Sequence, residues 1–168
     1  GTVNAAGLMA YALFAFPAGF VSQKLGLRRT MVIGVLFSAF FSGLQPAVEL
    51  VPQVGREAWI IANRVLSTVG LSLYFVNASP YLANATAPGA RSHAYSARML
   101  FDAMSGILGS LVGGALPGLW AAWLGSDLAD PAPYRYSLLI GALLCVPGAV
   151  ALAAMRKGLH VYVQKPLA

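Results

Sequence analysis

The chain has 168 residues, of which 58% are hydrophobic and 10% carry a charge. Soluble domains carry roughly 25% charged residues, so this composition excludes a water-solvated domain and a disordered chain, and the single cysteine excludes a disulfide scaffold. The net charge of +6 suggests nucleic acid in a soluble protein but is typical of cytoplasmic loops in a membrane protein, so we expect no nucleic-acid partner.

Five stretches are long and apolar enough to cross a lipid bilayer as helices, since a hydrocarbon core about 30 Å thick needs about 20 helical residues. In chain order they cover residues 3–22, 30–47, 58–82, 95–118 and 136–155. None shows the sustained alternation of apolar and polar residues that would indicate strands. The sequence therefore predicts an all-α, polytopic membrane protein with short loops.

Basic residues collect in the alternate loops, on one side of the predicted membrane. The basic residues of these segments are Lys24, Arg28, Arg29, Arg91, Arg98, Arg156, Lys157 and Lys165. The opposite side receives two basic and four acidic residues, namely Arg56, Arg135, Glu49, Glu57, Asp127 and Asp130. By the positive-inside rule the first side is cytoplasmic, which puts the N-terminus outside and the C-terminus inside the cell membrane.

The first span begins abruptly on the predicted outer side, without an initiator methionine, a basic leader or a cleavable signal pattern. We therefore expect a fragment of a longer protein, with at least one further helix upstream that starts in the cytoplasm.

The first cytoplasmic loop carries a glycine-rich basic motif, GFVSQKLGLRR, over residues 19–29. It resembles the loop between helices two and three of the major facilitator superfamily, whose pattern is G-x-L-a-D-r-x-G-r-r-r. The resemblance implies a gating loop formed by Gly19, Gln23, Lys24, Gly26, Arg28 and Arg29. Gln23 stands where the family has aspartate, so the loop lacks one charge of the family pattern.

Further segments resemble later parts of the same family, in the right order. Residues 64–70 are similar to its fourth-helix R-x-x-q-G-x-g pattern, and residues 109–114 to the fifth-helix G-P-x-x-G-G of many exporters, with Ser110 replacing proline. The basic loop at 88–91 and the aromatic–Arg–aromatic segment at 134–136 also match. The resemblance covers the chain as helices two to six of an N-terminal bundle that lacks its first helix. It also implies a second six-helix bundle of the same protein, which is missing from this sequence.

Arg64 lies inside the third span, about 10 Å below the membrane surface. An arginine near mid-membrane is costly unless it faces water or a partner, so it indicates a functional site by default. Its polar neighbours Asn63 and Ser67 extend the candidate solute or ion pathway. The alternative is an arginine that reaches outward to the membrane surface or pairs with Glu57.

Asp102 lies inside the fourth span and shares one helical side with Arg98 and several glycines. We expect the glycines of this span to let helices approach closely; they are Gly106, Gly109, Gly113 and Gly114. Asp102 is either a proton-coupling carboxylate in the pathway or the partner of Arg98 in an i,i+4 ion pair whose two charges neutralise each other. Helix-rise arithmetic separates Asp102 from Arg64 by roughly 10 Å in depth, so no direct salt bridge is expected.

The resemblance implies secondary active transport of a small solute by alternating access, coupled to protons and directed toward efflux, with no cofactor. A membrane-embedded enzyme is the main alternative, but the sequence offers no catalytic set and no metal-ligand spacing. A transport-incompetent scaffold or sensor of the same fold is a third interpretation, which the Gln23 and Ser110 departures allow.

Overall fold

A computed structural model describes residues 1–155, which form five α-helices and no strand within that range. The helices are α1 (Thr2–Leu25), α2 (Leu27–Leu44), α3 (Arg56–Ala85), α4 (Arg91–Leu124) and α5 (Ala132–Ala154). Short 3-10 turns at Gln45–Leu50, Gln53–Gly55 and Pro88–Ala90 complete the connections. The predicted basic cluster of Arg156, Lys157 and Lys165 lies outside the described residues.

All five helices are long and apolar enough to cross a membrane, which confirms the predicted all-α polytopic class. Each helix overlaps one predicted span. The largest difference is α4, whose 34 residues reach about 51 Å and so extend well beyond a hydrocarbon core about 30 Å thick. Sequence reasoning shortened α4 because its charged and aromatic ends are not apolar, although they remain helical.

Polar contacts between helix ends show which ends lie on the same face of the bundle. Arg28, at the start of α2, donates a hydrogen bond to the carbonyl oxygen of Ala153, at the end of α5. Glu49, just after α2, forms an ion pair with Arg135, near the start of α5. We call the first end the basic face, because it carries the α1–α2 and α3–α4 connections, and the other end the opposite face.

Helix α3 occupies the centre of the bundle, with α2 and α1 as its main neighbours, while α5 packs against α2 and α4. The α2–α3 crossing depends on a pair of glycines. A Cβ atom built on Gly34 would lie 2.6 Å from the carbonyl oxygen of Gly70, and one built on Gly70 would lie 2.6 Å from the carbonyl oxygen of Gly34. Real Cβ atoms do not approach backbone oxygens this closely, so the two backbones can touch only where both side chains are absent.

Serine hydroxyls add hydrogen bonds next to this glycine contact. The hydroxyl oxygens of Ser38 and Ser67 are 3.1 Å apart, and those of Ser42 and Ser67 are 2.8 Å apart. Lipid tails are as apolar as leucine, so helices in a bilayer associate through close contact and such polar bonds rather than through hydrophobic burial. The α2–α3 interface uses both.

We expect Gly34→Ala to destabilise the protein by about 1–3 kcal/mol, because the added methyl group collides with the α3 backbone and forces the helices apart. Unfolding of the full-length protein in mixed detergent micelles measures this difference. Gly141→Ala is the matched control, since a Cβ atom on Gly141 would meet no atom within 4 Å. Equal stability of the two variants would contradict the close contact.

Candidate solute pathway and basic loop

The Arg64 side chain of α3 lies against Gly7 of α1. A Cβ atom built on Gly7 would be 3.3 Å from Arg64 Nε and 3.3 Å from Thr68 Oγ1. The Thr68 hydroxyl donates a hydrogen bond of 2.8 Å to the Arg64 carbonyl oxygen, one turn earlier in the same helix. Gly7 therefore provides the space through which the guanidinium group passes between α1 and α3.

The Arg64 Nε atom is shielded from solvent and has no hydrogen-bond partner among residues 1–155. Within the same range Arg64 also forms no ion pair, so the alternative pairing with Glu57 is absent there. A buried charged donor without a partner is costly, and such groups are commonly found where a ligand or a moving proton supplies the missing interaction.

Asn63 and Ser67 lie on another side of α3 from Arg64. The Asn63 amide donates a hydrogen bond of 2.9 Å to the carbonyl oxygen of Trp59 and is almost fully buried. Ser67 is buried against the serines of α2, as described above. The structure thus separates two of the candidates: Arg64 lies against α1, whereas Ser67 belongs to the α2–α3 contact.

Asp102 lies on α4 with its side chain 59% exposed, and its Oδ2 atom is 3.5 Å from Arg98 Nε. Arg98 also donates a hydrogen bond of 3.0 Å to the hydroxyl of Ser79, near the end of α3, and the Tyr95 hydroxyl donates to the Ser79 carbonyl oxygen at 3.0 Å. The expected i,i+4 pair is therefore present. The structure does not bring Asp102 together with Arg64.

The four glycines of α4 that we expected to pack against another helix have no neighbour in the described part of the chain. A Cβ atom built on any of them would find no atom within 4 Å, and this holds for Gly106, Gly109, Gly113 and Gly114. Their helix-packing role stays a prediction.

The close-packing glycines that sequence reasoning missed are Gly34 and Gly70. A signal for them existed in α2, where Gly34, Ser38 and Ser42 follow one another at four-residue spacing, the small-xxx-small pattern of membrane helix interfaces.

The predicted gating loop is mostly helical: its residues belong to the end of α1 or the start of α2, and between these helices lies only Gly26. Its φ of 84° and ψ of 146° lie in a region that only glycine adopts readily. The Gly26 N–H donates to the Ser22 carbonyl oxygen at 2.8 Å, and the Thr30 hydroxyl donates to the Gly26 carbonyl oxygen at 3.0 Å. One glycine therefore ends α1 and begins α2.

The polar residues of the predicted gating loop differ in their surroundings. Gln23, Lys24 and Arg29 are exposed, whereas Arg28 is partly buried and donates to the α5 backbone. A cation at the C-terminal end of a helix binds carbonyl groups that lack helical partners and interacts favourably with the helix dipole. Ser22 Oγ donates to the Gly19 carbonyl oxygen at 2.8 Å, within α1.

Potential metal ligands do not cluster in the described region: residues 1–155 contain no group of three His, Cys, Asp or Glu side chains that could hold an ion.

Comparison with known proteins gives one match. The family model described as Major Facilitator Superfamily matches residues 1–164, which is nearly the whole chain. No curated protein and no solved structure matches the chain.

We expect Gly26→Ala to destabilise the α1–α2 connection by about 1–3 kcal/mol, because alanine pays a steric cost at this φ and ψ. Thermal unfolding of the full-length protein in detergent measures the loss. Gly19→Ala serves as the control, since Gly19 is helical and a Cβ atom there meets nothing within 4 Å. A Gly26→Ala variant as stable as Gly19→Ala would show that the loop adopts another backbone conformation.

Proposed function

The chain belongs to the Major Facilitator Superfamily, whose members transport solutes across membranes, and we propose that its own transport is coupled to protons and depends on Arg64. Membership indicates a multi-pass membrane protein of a family that transports small-molecule solutes. The direction, the coupling ion and the residues involved belong to the proposal.

The observation that carries the proposal is the Nε atom of Arg64, which has no hydrogen-bond partner among residues 1–155. This atom is buried in a helix that crosses the membrane. Guanidinium groups bind carboxylates and phosphates with two parallel hydrogen bonds, so an anionic solute is the ligand class that this donor suits best. Water in a transport cavity satisfies the same donor between transport cycles.

Asp102 is the acidic residue that the proposal assigns to proton coupling. The other acidic residues of the chain lie in the loops on the opposite face or at the first turn of α3, namely Glu49, Glu57, Asp127 and Asp130. Asp102 lies three turns into α4, with its side chain 59% exposed and its Oδ2 atom 3.5 Å from Arg98 Nε. The proposed coupling then alternates between the Asp102–Arg98 ion pair and a protonated Asp102.

The proposed mechanism is alternating access, in which this bundle rocks against a second six-helix bundle around a central cavity. We place the basic face in the cytoplasm, because positively charged loops are retained on that side of the membrane. The resemblance of the segment around Gly109 and Gly113 to exporters supports efflux as the direction. Gly19, Gln23, Lys24, Gly26, Arg28 and Arg29 then form a gating loop on the cytoplasmic side.

We expect Arg64→Ala to abolish solute flux, because the variant removes the buried donor that the solute needs. The measurement uses the full-length protein in sealed vesicles with an imposed pH gradient, a panel of radiolabelled anionic and neutral solutes, and a protonophore control. Arg56→Ala, at the exposed start of α3, is the matched control and should retain flux. Unaltered flux in Arg64→Ala would remove Arg64 from the pathway.

We expect Asp102→Asn to lose protonophore-sensitive accumulation of solute but to keep solute exchange at equal concentrations, because the amide cannot carry a proton. Asp127→Asn, in the α4–α5 loop, should keep both activities. Full accumulation in Asp102→Asn together with lower thermal stability would instead assign Asp102 to pairing with Arg98.

A further inference from the structure

An apolar groove runs between α2 and α5, on the half of the bundle nearest the opposite face. Its volume is about 400 Å³, and it is lined by residues within 36–44 of α2 and 139–146 of α5. Its walls include Leu36, Phe40 and Leu143, all of which are substantially exposed. Small residues form its floor: a Cβ atom on Gly43 would lie 3.5 Å from the Cβ atom of Ala142.

The groove has a charged mouth at the opposite face. Arg135 lies one turn before Leu139 and, by helical spacing, on the same side of α5 as Leu139, Ala142 and Val146. Glu49 follows the groove-lining end of α2 and forms an ion pair with Arg135. The Arg135 side chain remains 39% exposed, so its guanidinium group is accessible to a ligand beside this pair.

We propose that this α2–α5 groove binds one acyl chain of a zwitterionic phospholipid from the leaflet that borders the opposite face. The chain lies along residues 139–146, and the phosphate group binds the guanidinium group of Arg135. The headgroup ammonium then lies beside Glu49.

The lining chemistry selects this occupant. The groove is lined by aliphatic and aromatic side chains together with one glycine, which gives a polar solute no partner for its hydrogen bonds. Both helices are long and apolar enough to span the membrane, so lipid is the medium that meets an apolar groove open to the side. The mouth carries one positive and one negative charge, which matches the two charges of a zwitterionic headgroup.

Affinity in such a groove has two sources. An acyl chain gains no hydrophobic free energy on moving from bulk lipid into the groove, because both surroundings are apolar. Instead, the acyl chain gains dispersion contacts with fixed side chains on several sides. The phosphate group of the same lipid gains a charge-assisted hydrogen bond with Arg135. The site is therefore expected to favour phospholipids over uncharged lipids with the same chains.

The test uses the full-length protein in lipid nanodiscs that contain phosphatidylcholine with a diazirine in one acyl chain. After irradiation, labelled positions are mapped by mass spectrometry of peptides from α5. We expect the groove positions Leu139, Leu143 and Val146 to be labelled more heavily than Leu144, which is exposed but lies on the other side of α5. Labelling of the groove equal to or below that of Leu144 would overturn the proposal; a protein helix seated in the groove would give the lower value.

Variants separate specific binding from general contact with lipid. Ala142→Phe fills the groove and should reduce its labelling to the level of Leu144, and the smaller Ala142→Leu should give an intermediate loss. Ala151→Phe, at an exposed position on another side of α5, should leave groove labelling unchanged. Unchanged labelling in both Ala142 variants would overturn the assignment.

A further variant tests the contact between the phosphate group and Arg135. Arg135→Gln should reduce labelling by the photoreactive phosphatidylcholine while leaving labelling by a photoreactive diacylglycerol with the same chains unchanged. Retention of the phosphatidylcholine preference in Arg135→Gln would overturn the role of Arg135.

Discussion

The structure depends first on the contact between the α2 and α3 backbones at Gly34 and Gly70. Each glycine faces the carbonyl oxygen of the other at a distance that leaves no room for a side chain. Because hydrophobic burial does not drive helices together in lipid, contact at this range and the neighbouring serine hydrogen bonds supply the attraction. The contact fixes α3 at the centre of the bundle, and the position of α3 in turn sets the surroundings of Arg64 on its α1 side.

Charged side chains at the helix ends hold α2 and α5 together at both faces of the bundle. Arg28 donates a hydrogen bond to the Ala153 carbonyl oxygen of α5 on the basic face, and Glu49 forms an ion pair with Arg135 on the opposite face. Both contacts join the α2 and α5 helices, one at each end, so the same pair of helices is tied at the two membrane surfaces. Between these ties the two helices leave the apolar groove open. Polar groups therefore hold the ends, while small and apolar residues shape the middle.

Much of this architecture could be predicted from the sequence, because the length of a helix and the position of a turn depend on residues that are neighbours along the chain. The apolar lengths indicated five helices, and the glycine-rich basic motif marked the connection between α1 and α2, where Gly26 has a positive φ. Pairings between helices were harder. The α4 glycines form a conspicuous stripe and yet meet nothing in residues 1–155, whereas the less conspicuous Gly34 makes the closest contact. A stripe of small residues shows that a helix can be approached closely, but the partner depends on the three-dimensional order of helices.

The candidate site could also be predicted from the sequence only in part. The cost of an intramembrane charge identifies Arg64 from the sequence, but the room made by Gly7 on α1 could not be inferred without knowing that α1 packs beside α3. For the same reason the contact of Ser67 with α2, on another side of α3 from Arg64, could not be predicted.

The observed pairing of Asp102 and its proposed role in proton coupling are compatible when the Arg98 contacts are considered together. Arg98 interacts with Asp102 on its own helix and with Ser79 on α3, and α3 and α4 otherwise touch little within the described residues. If Asp102 accepts the transported proton, its attraction for Arg98 weakens, and the guanidinium group is then held mainly by Ser79. A change in charge at Asp102 thus alters the polar link between the central helix and α4 at the basic face. A residue that is half of an ion pair at rest is, for that reason, well placed to transmit protonation to helix position.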